Sequence, residues 1–132
     1  QEKYQEFKKV NCEIYAISTD THFAHKTWHD ISKNISKIEY PMIGDPTHSL
    51  TYDFDVFDEN DGLAQRGSFI IDPEGKIVVY EVNAGNVGRN ADELLRRLHA
   101  CQFVYEHGDN VCPAKWKLGE KTIQTTIENI GK

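Results

Sequence analysis

Three kinds of side chain in this sequence can do chemistry: thiols, a guanidinium at a strand end, and a row of imidazoles. Cys112 lies in Asn110-Val111-Cys112-Pro113-Ala114-Lys115-Trp116, a stretch without helical or strand periodicity. A thiol there can be reached by a partner and can move, which a core thiol cannot. Lys115 and Lys117 nearby would modestly favour the thiolate, the nucleophilic form. Residue chemistry alone leaves a reactive thiol and an inert exposed one equally open. Cys12 opens an apolar strand and Cys101 sits on the apolar side of a helix, so both read as small packing hydrophobes. Arg66 is the only cation on its strand and stands at the mouth of Phe69-Ile70-Ile71. A permanent guanidinium at that place can bind an anion or a thiolate, or can simply solvate the strand end.

His22, His25 and His29 follow an i, i+3, i+7 pattern and share a helical face. Such a row can in principle hold zinc or copper. It spans two turns, however, and no acidic or cysteine ligand has a diagnostic spacing to it. A partly exposed or interface face is the simpler reading, with Trp28 as core or subunit contact. Gly85, Gly88 and Arg89 lack the Lys-Ser/Thr context of a phosphate loop. There is no Gly-x-Ser-x-Gly elbow. The three cysteines are odd in number and none forms a CxxC pair, against a disulfide scaffold or a zinc finger.

The elements that must position these groups are legible in outline. Tyr4, Phe7 and Val10 mark a helix over residues 2–10 that starts without a cap. The run Ile14-Tyr15-Ala16-Ile17 predicts a strand over 12–18 buried on both faces. Asp20 or Thr21 caps a helix over 22–34, with Phe23, Ala24, Trp28 and Ile31 on one broad face. A short strand over 41–44, a short helix over 48–52 and an acidic loop over 53–61 follow, with Phe54, Val56 and Phe57 packing down. A hairpin over 66–82 turns at Pro73-Glu74-Gly75-Lys76 and has its first arm buried on both faces. Residues 83–89 connect to a helix over 91–105, capped by Asn90, with Leu94, Leu98, Cys101 and Tyr105 inward. Residues 107–132 read as an extended or mobile tail without packing of its own. The order predicts α/β layering. The strands at 12–18 and 42–44 are parallel, the hairpin adds an antiparallel pair, and the result is a mixed sheet flanked by helices.

The chain has 132 residues, one domain's length, with 39% hydrophobic and 27% charged residues. Its net charge of −6 disfavours nucleic acid or an anionic membrane as partner. No apolar run reaches membrane-spanning length, and the polar first residues do not suggest a signal peptide. The expected location is cytoplasmic. Gln1 rather than Met stands first, and the true start is expected upstream.

Several stretches together resemble one family. They are Ile17-Ser18-Thr19-Asp20-Thr21-His22-Phe23-Ala24-His25-Lys26-Thr27-Trp28, Met42-Ile43-Gly44-Asp45-Pro46, Gly62-Leu63-Ala64-Gln65-Arg66-Gly67-Ser68-Phe69-Ile70-Ile71-Asp72-Pro73 and Val111-Cys112-Pro113-Ala114-Lys115-Trp116. In order and along essentially the whole chain they resemble the typical 2-Cys peroxiredoxins, of the bacterial alkyl hydroperoxide reductase C type. The resemblance implies a thioredoxin-like fold, with residues 1–106 a partial domain, incomplete at its N-terminus, and 107–132 the tail. It implies a thiol peroxidase for hydrogen peroxide and organic hydroperoxides, with no cofactor and no metal. A peroxidatic cysteine becomes a sulfenic acid, the partner subunit's tail thiol condenses with it, and a flavoprotein or thioredoxin-like reductase restores both. Cys112 matches the resolving thiol, and Arg66 matches the arginine that stabilises the peroxidatic thiolate and the peroxide. A homodimer is implied, and a ring of five dimers. The family's Pro-x-x-x-Thr-x-x-Cys motif is not among these residues and would precede Gln1, so the chain alone is expected to lack turnover. Cys12 is no substitute, since it lies in a strand and not at a helix N-terminus. The alternatives are a non-enzymatic oligomerisation fragment and a His-rich metal-binding module. There is no Gly-Gly-Leu-Gly insert before Met42 and no terminal Tyr-Phe, which resembles the members that resist over-oxidation.

Overall fold

The computed structural model describes residues 1–129. They fall into two compact units, the first formed by residues 1–68 with 80–89 and the second by residues 69–79 with the chain from 90 onward.

In the first unit, helix α1 (Tyr4–Lys9) buries Tyr4 and Phe7, and Tyr4 meets Tyr40 edge-on at 5.3 Å. Lys3 at its N-cap position supplies no side-chain capping bond and pairs instead with Glu6 at 3.1 Å. Strand β1 (Ala16–Ser18) pairs in parallel with β2 (Met42–Gly44), Ala16 against Met42 and Ser18 against Gly44. The parallel pairing is as expected. Burial on both faces is not: Tyr15 and Ile17 are 58% and 42% exposed. This ladder has two strands, and only alternate side chains of β1 turn towards packed neighbours.

Helix α2 (His22–Ile31) is capped by Thr21, whose Oγ1 accepts from the Ala24 N–H at 3.2 Å. It stops short of residue 34 because Ser32 is extended, and a 3₁₀ turn, Ile35–Lys37, follows. Its apolar face turns outward. Phe23, Trp28 and Ile31 are 50% exposed or more, while His25 is buried. His25 is buried and His29 half-buried because β2 and the 3₁₀ turn pack on that side, while His22 stays exposed at the helix start. Gly44 is needed there: a Cβ would stand 2.6 Å from the Asp20 carbonyl and 2.8 Å from the His22 nitrogen.

Asp45 follows β2 and is buried. Its carboxylate accepts from the backbone of Leu50 and Thr51 and from the Thr51 hydroxyl at 3.2, 2.8 and 2.7 Å. It thereby satisfies N–H groups at the start of α3 (Ser49–Asp53). The acidic loop contains a small antiparallel ladder, β3 (Phe57–Asp58) with β4 (Leu63–Ala64). Its turn is folded by its own carboxylates, Asp58 accepting from Asn60 N and Asp61 from Leu63 N. Val56 is buried, as expected.

The hairpin pairs β5 (Arg66–Ile71) with β6 (Ile77–Asn83), and its tip belongs to the second unit. Gly75 has φ +84° in the turn, where Asp72 Oδ1 accepts from Glu74 N and Lys76 N. Ile70 is buried but Ile71, Ile77 and Val78 are exposed, so the first arm is not buried on both faces. The parallel pair and the hairpin stand as separate two-stranded ladders.

Helix α4 (Ala91–Glu106) is capped by Asn90, which accepts from Asp92 N and Glu93 N. Leu98 is buried as expected, but Leu95 is its buried companion and Tyr105 is 55% exposed. The segment after α4 differs most from expectation. Trp116 is 2% exposed. Its ring lies 5.2 Å from that of Phe103, and its Nε1 donates to the Glu120 carbonyl at 2.9 Å. β7 (Asn110–Val111) pairs antiparallel with β8 (Ile123–Gln124). An aperiodic segment packs here through one large side chain, a signal periodicity cannot carry. Residues 130–132, the end of the expected tail, lie outside the described residues. No helix among the described residues is long and apolar enough to cross a membrane.

Two stability predictions follow from these anchors. Burial alone would raise the Asp45 carboxyl, but the hydrogen bonds from Thr51 and Leu50 outweigh it and hold it below its ordinary value. A lowered carboxyl contributes stability above its unfolded pKa and loses it as pH falls through the folded value. Asp45→Ala should cost about 1–2 kcal/mol in denaturant titration at neutral pH, with the difference from the parent shrinking below about pH 4. Trp116→Ala should cost about 3–5 kcal/mol where the segment after α4 unfolds. Alkylation of Cys112 by iodoacetamide should accelerate in the same variant.

Candidate functional site

The second unit gathers the thiol chemistry. Cys112 follows β7 and is half-buried, its Sγ 3.9 Å from the Ala100 carbonyl of α4, which accepts from the thiol. Arg96, Arg97, Ala100 and Cys101 from α4, with Val79 and Pro113, line a cavity of about 200 Å³ with Cys112. Burial pushes the Cys112 thiol up, and the nearby Arg96 guanidinium pulls it back in part. The acting cation is therefore Arg96 and not Lys115 or Lys117, the neighbours in sequence. Burial also raises Cys101, with a further push from Cys112, and burial and Glu13 raise Cys12. None of the three thiols has the depressed pKa of a poised nucleophile.

Arg96 is fixed on three sides. Its Nε and Nη2 donate to the two oxygens of Glu93 at 2.7 and 2.9 Å, and its Nη1 donates to the Trp116 carbonyl at 2.9 Å. Arg97 Nε also donates to Glu93, at 2.9 Å. Hydrogen bonds from Arg96 and Arg97 bring the Glu93 carboxyl down to about 2. The Glu93-Arg96-Arg97 spacing of i, i+3, i+4 was the available sequence signal for this cluster.

The first unit holds Arg66 and Arg89. Arg66 is exposed at the start of β5, and its Nε donates to the Gly85 carbonyl at 3.4 Å. Arg89 reaches back across the same connection, its Nη1 donating to the Gly67 carbonyl at 2.7 Å. Two guanidiniums thus share the open end of the hairpin. In the sequence Arg89 is legible only as the neighbour of two glycines that match no phosphate loop. Arg66 and Cys112 belong to different units.

The imidazoles sit along a groove of about 340 Å³ with Lys26, Asp30 and Tyr40. His25 Nε2 lies 2.6 Å from Ser18 Oγ, and its buried Nδ1 has no partner. His29 Nε2 donates to the Ile38 carbonyl at 3.2 Å, and the His22 ring lies against Phe23. Among the described residues no group of three or more His, Cys, Asp or Glu could hold a metal ion.

Comparison with known proteins places this arrangement. The family model described as the AhpC/TSA family matches residues 1–80, and the C-terminal domain of 1-Cys peroxiredoxin matches residues 100–130. Alkyl hydroperoxide reductase C of Bacillus subtilis is 50% identical over 132 residues, all of this chain and 71% of that protein. The Staphylococcus epidermidis protein of the same name is 48% identical, with 70% of it covered. The crystal structure of Enterococcus faecalis AhpC superposes with a TM-score of 0.83 at 52% identity, covering 86% of this chain and 68% of that one. The reduced Plasmodium vivax 2-Cys peroxiredoxin gives 0.91 at 28% identity, covering 96% and 66%. With a family model over more than half its length and relatives near 50% identity along all of it, this chain belongs to the AhpC/TSA family of peroxiredoxins.

Proposed function

We propose that this chain serves thiol-dependent reduction of hydroperoxides, with Cys112 as the resolving thiol. The observation that carries the reading is the Cys112 site itself: a half-buried, protonated thiol in a segment docked on α4, in a chain 50% identical to an alkyl hydroperoxide reductase C. A resolving thiol need not attack peroxide. It needs to be kept quiet until a partner's sulfenic acid arrives, and the raised pKa and the contact with Ala100 suit that. Arg66 supplies the fixed positive charge for a peroxidatic thiolate and for the oxygen on which charge develops as the peroxide bond breaks. Arg89, sharing the same hairpin end, supports it. Neither residue needs a cofactor for this.

The partners follow from the chemistry. A disulfide left at the end of each turn calls for a dithiol reductant, a flavoprotein disulfide reductase or a thioredoxin-like protein. Resolution in trans calls for a homodimer. The exposed Phe23, Trp28 and Ile31 on α2 suit burial between copies, and the family resemblance adds a ring of five dimers as the higher assembly. The net charge favours neither nucleic acid nor a membrane surface, and three unpaired cysteines suit the reducing cytoplasm.

Two experiments test this. The 132-residue chain alone, given hydrogen peroxide and dithiothreitol, should consume peroxide no faster than free cysteine does, since all three thiols are raised. Turnover at an enzyme's rate would contradict that assignment. Mixed with a family member that carries a sulfenic acid and no resolving thiol, the chain should form a mixed disulfide at Cys112 by peptide mapping. Cys112→Ser should abolish it. A product linked through Cys12 or Cys101 instead would remove Cys112 from the role.

A further inference from the structure

Arg96 has three fixed hydrogen bonds, and none is to the sulfur beside it. Glu93 takes two, through both carboxylate oxygens, and the Trp116 carbonyl takes the third. That carbonyl lies four residues beyond Cys112, so the guanidinium spans the segment that carries the thiol. Ala100, whose carbonyl accepts from the Cys112 thiol, is four residues after Arg96 on the same helical face. The thiol and the guanidinium line one cavity.

We propose that Arg96 is a positioning residue for the resolving step, holding Cys112 on α4 through the Trp116 carbonyl while presenting a fixed positive charge to its sulfur. This rests on the resolving role proposed above. In that step Cys112 gives up its proton and its sulfur attacks the partner's sulfenic sulfur. The S–S bond forms as the S–O bond breaks, and the departing hydroxide takes up a proton to become water. The oxidising equivalents come from the hydroperoxide that made the sulfenic acid. Arg96 favours the anionic sulfur at the point of attack, and Glu93 behind it keeps that charge partly neutralised. The other charged or titratable groups lining the cavity are Arg97 and Cys101 of α4, and Lys115 is near in sequence. Burial works against the charge on sulfur, so the thiol rests protonated and the guanidinium limits how far it is raised.

The test is the pH dependence of Cys112 alkylation by iodoacetamide in the full chain, followed by peptide mass spectrometry. Arg96→Gln should raise the midpoint by about one pH unit, about tenfold slower alkylation at neutral pH. Arg97→Gln should move it much less. Glu93→Gln, which leaves Arg96 with its charge uncompensated, should lower the midpoint. Opposite signs from two neighbouring variants cannot come from unfolding, and Glu93→Gln remains informative if Arg96→Gln does not fold. An unchanged midpoint in Arg96→Gln would overturn the proposal. An upward shift in Glu93→Gln would do the same. The readout needs no sulfenic acid. A shifted midpoint without the mixed disulfide would sink the resolving role alone, and a mixed disulfide without the shift would sink the role of Arg96 alone.

Discussion

The indole of Trp116 is 2% exposed, touches Phe103 of α4 and donates to the Glu120 carbonyl, while its own backbone carbonyl receives Arg96. The second unit depends on that set of contacts. Burying an indole removes about 150–250 Å² from water, a gain of about 4–6 kcal/mol at the usual transfer coefficient. Ordering an aperiodic segment costs about 1–2 kcal/mol per residue in backbone entropy. One indole therefore cannot fix the whole stretch after α4. The β7–β8 ladder and the Arg96 bond are further anchors of the same stretch, and Cys112 lies between them. The thiol's environment thus comes from contacts made by its neighbours more than from contacts of its own.

In the first unit the corresponding anchor is a carboxylate. Asp45 joins the end of β2 to the start of α3, with three donors converging on it. Gly44 beside it lets β2 pass against the start of α2. This order turns the His25 side of α2 inward and its apolar face outward. Phe23, Trp28 and Ile31 then stand in water. That arrangement is costly for a lone chain and useful for one that associates.

Much of this was legible in the sequence, for identifiable reasons. Helix starts were readable because Thr21 and Asn90 cap with side chains that do little else so well. The parallel pairing followed from a helix between two short apolar runs. What periodicity could not give was which face turns inward. On α2 the apolar residues point away from the packed side, because amphipathicity records burial in any assembly and not only within one chain. On α4, Leu95 and not Tyr105 joins Leu98 in the core, since a long helix is covered only along part of its length. Cys112 and Arg66 could be singled out from their segments and from the family resemblance. Arg96 could not, and Arg89 could only be set aside as no phosphate loop, because their roles depend on carbonyls twenty or more residues away.

The central claim is that Cys112 sits in a segment held on α4 by Trp116. Hydrogen exchange of the Trp116 indole N–H, followed by NMR, tests it most directly, because that proton is bonded to the Glu120 carbonyl. Exchange slowed by orders of magnitude, approaching that of the α4 amides, is the expected result. Exchange at the rate of a free peptide, with α4 still protected, would mean that the segment is undocked and that the site described for Cys112 does not exist in solution.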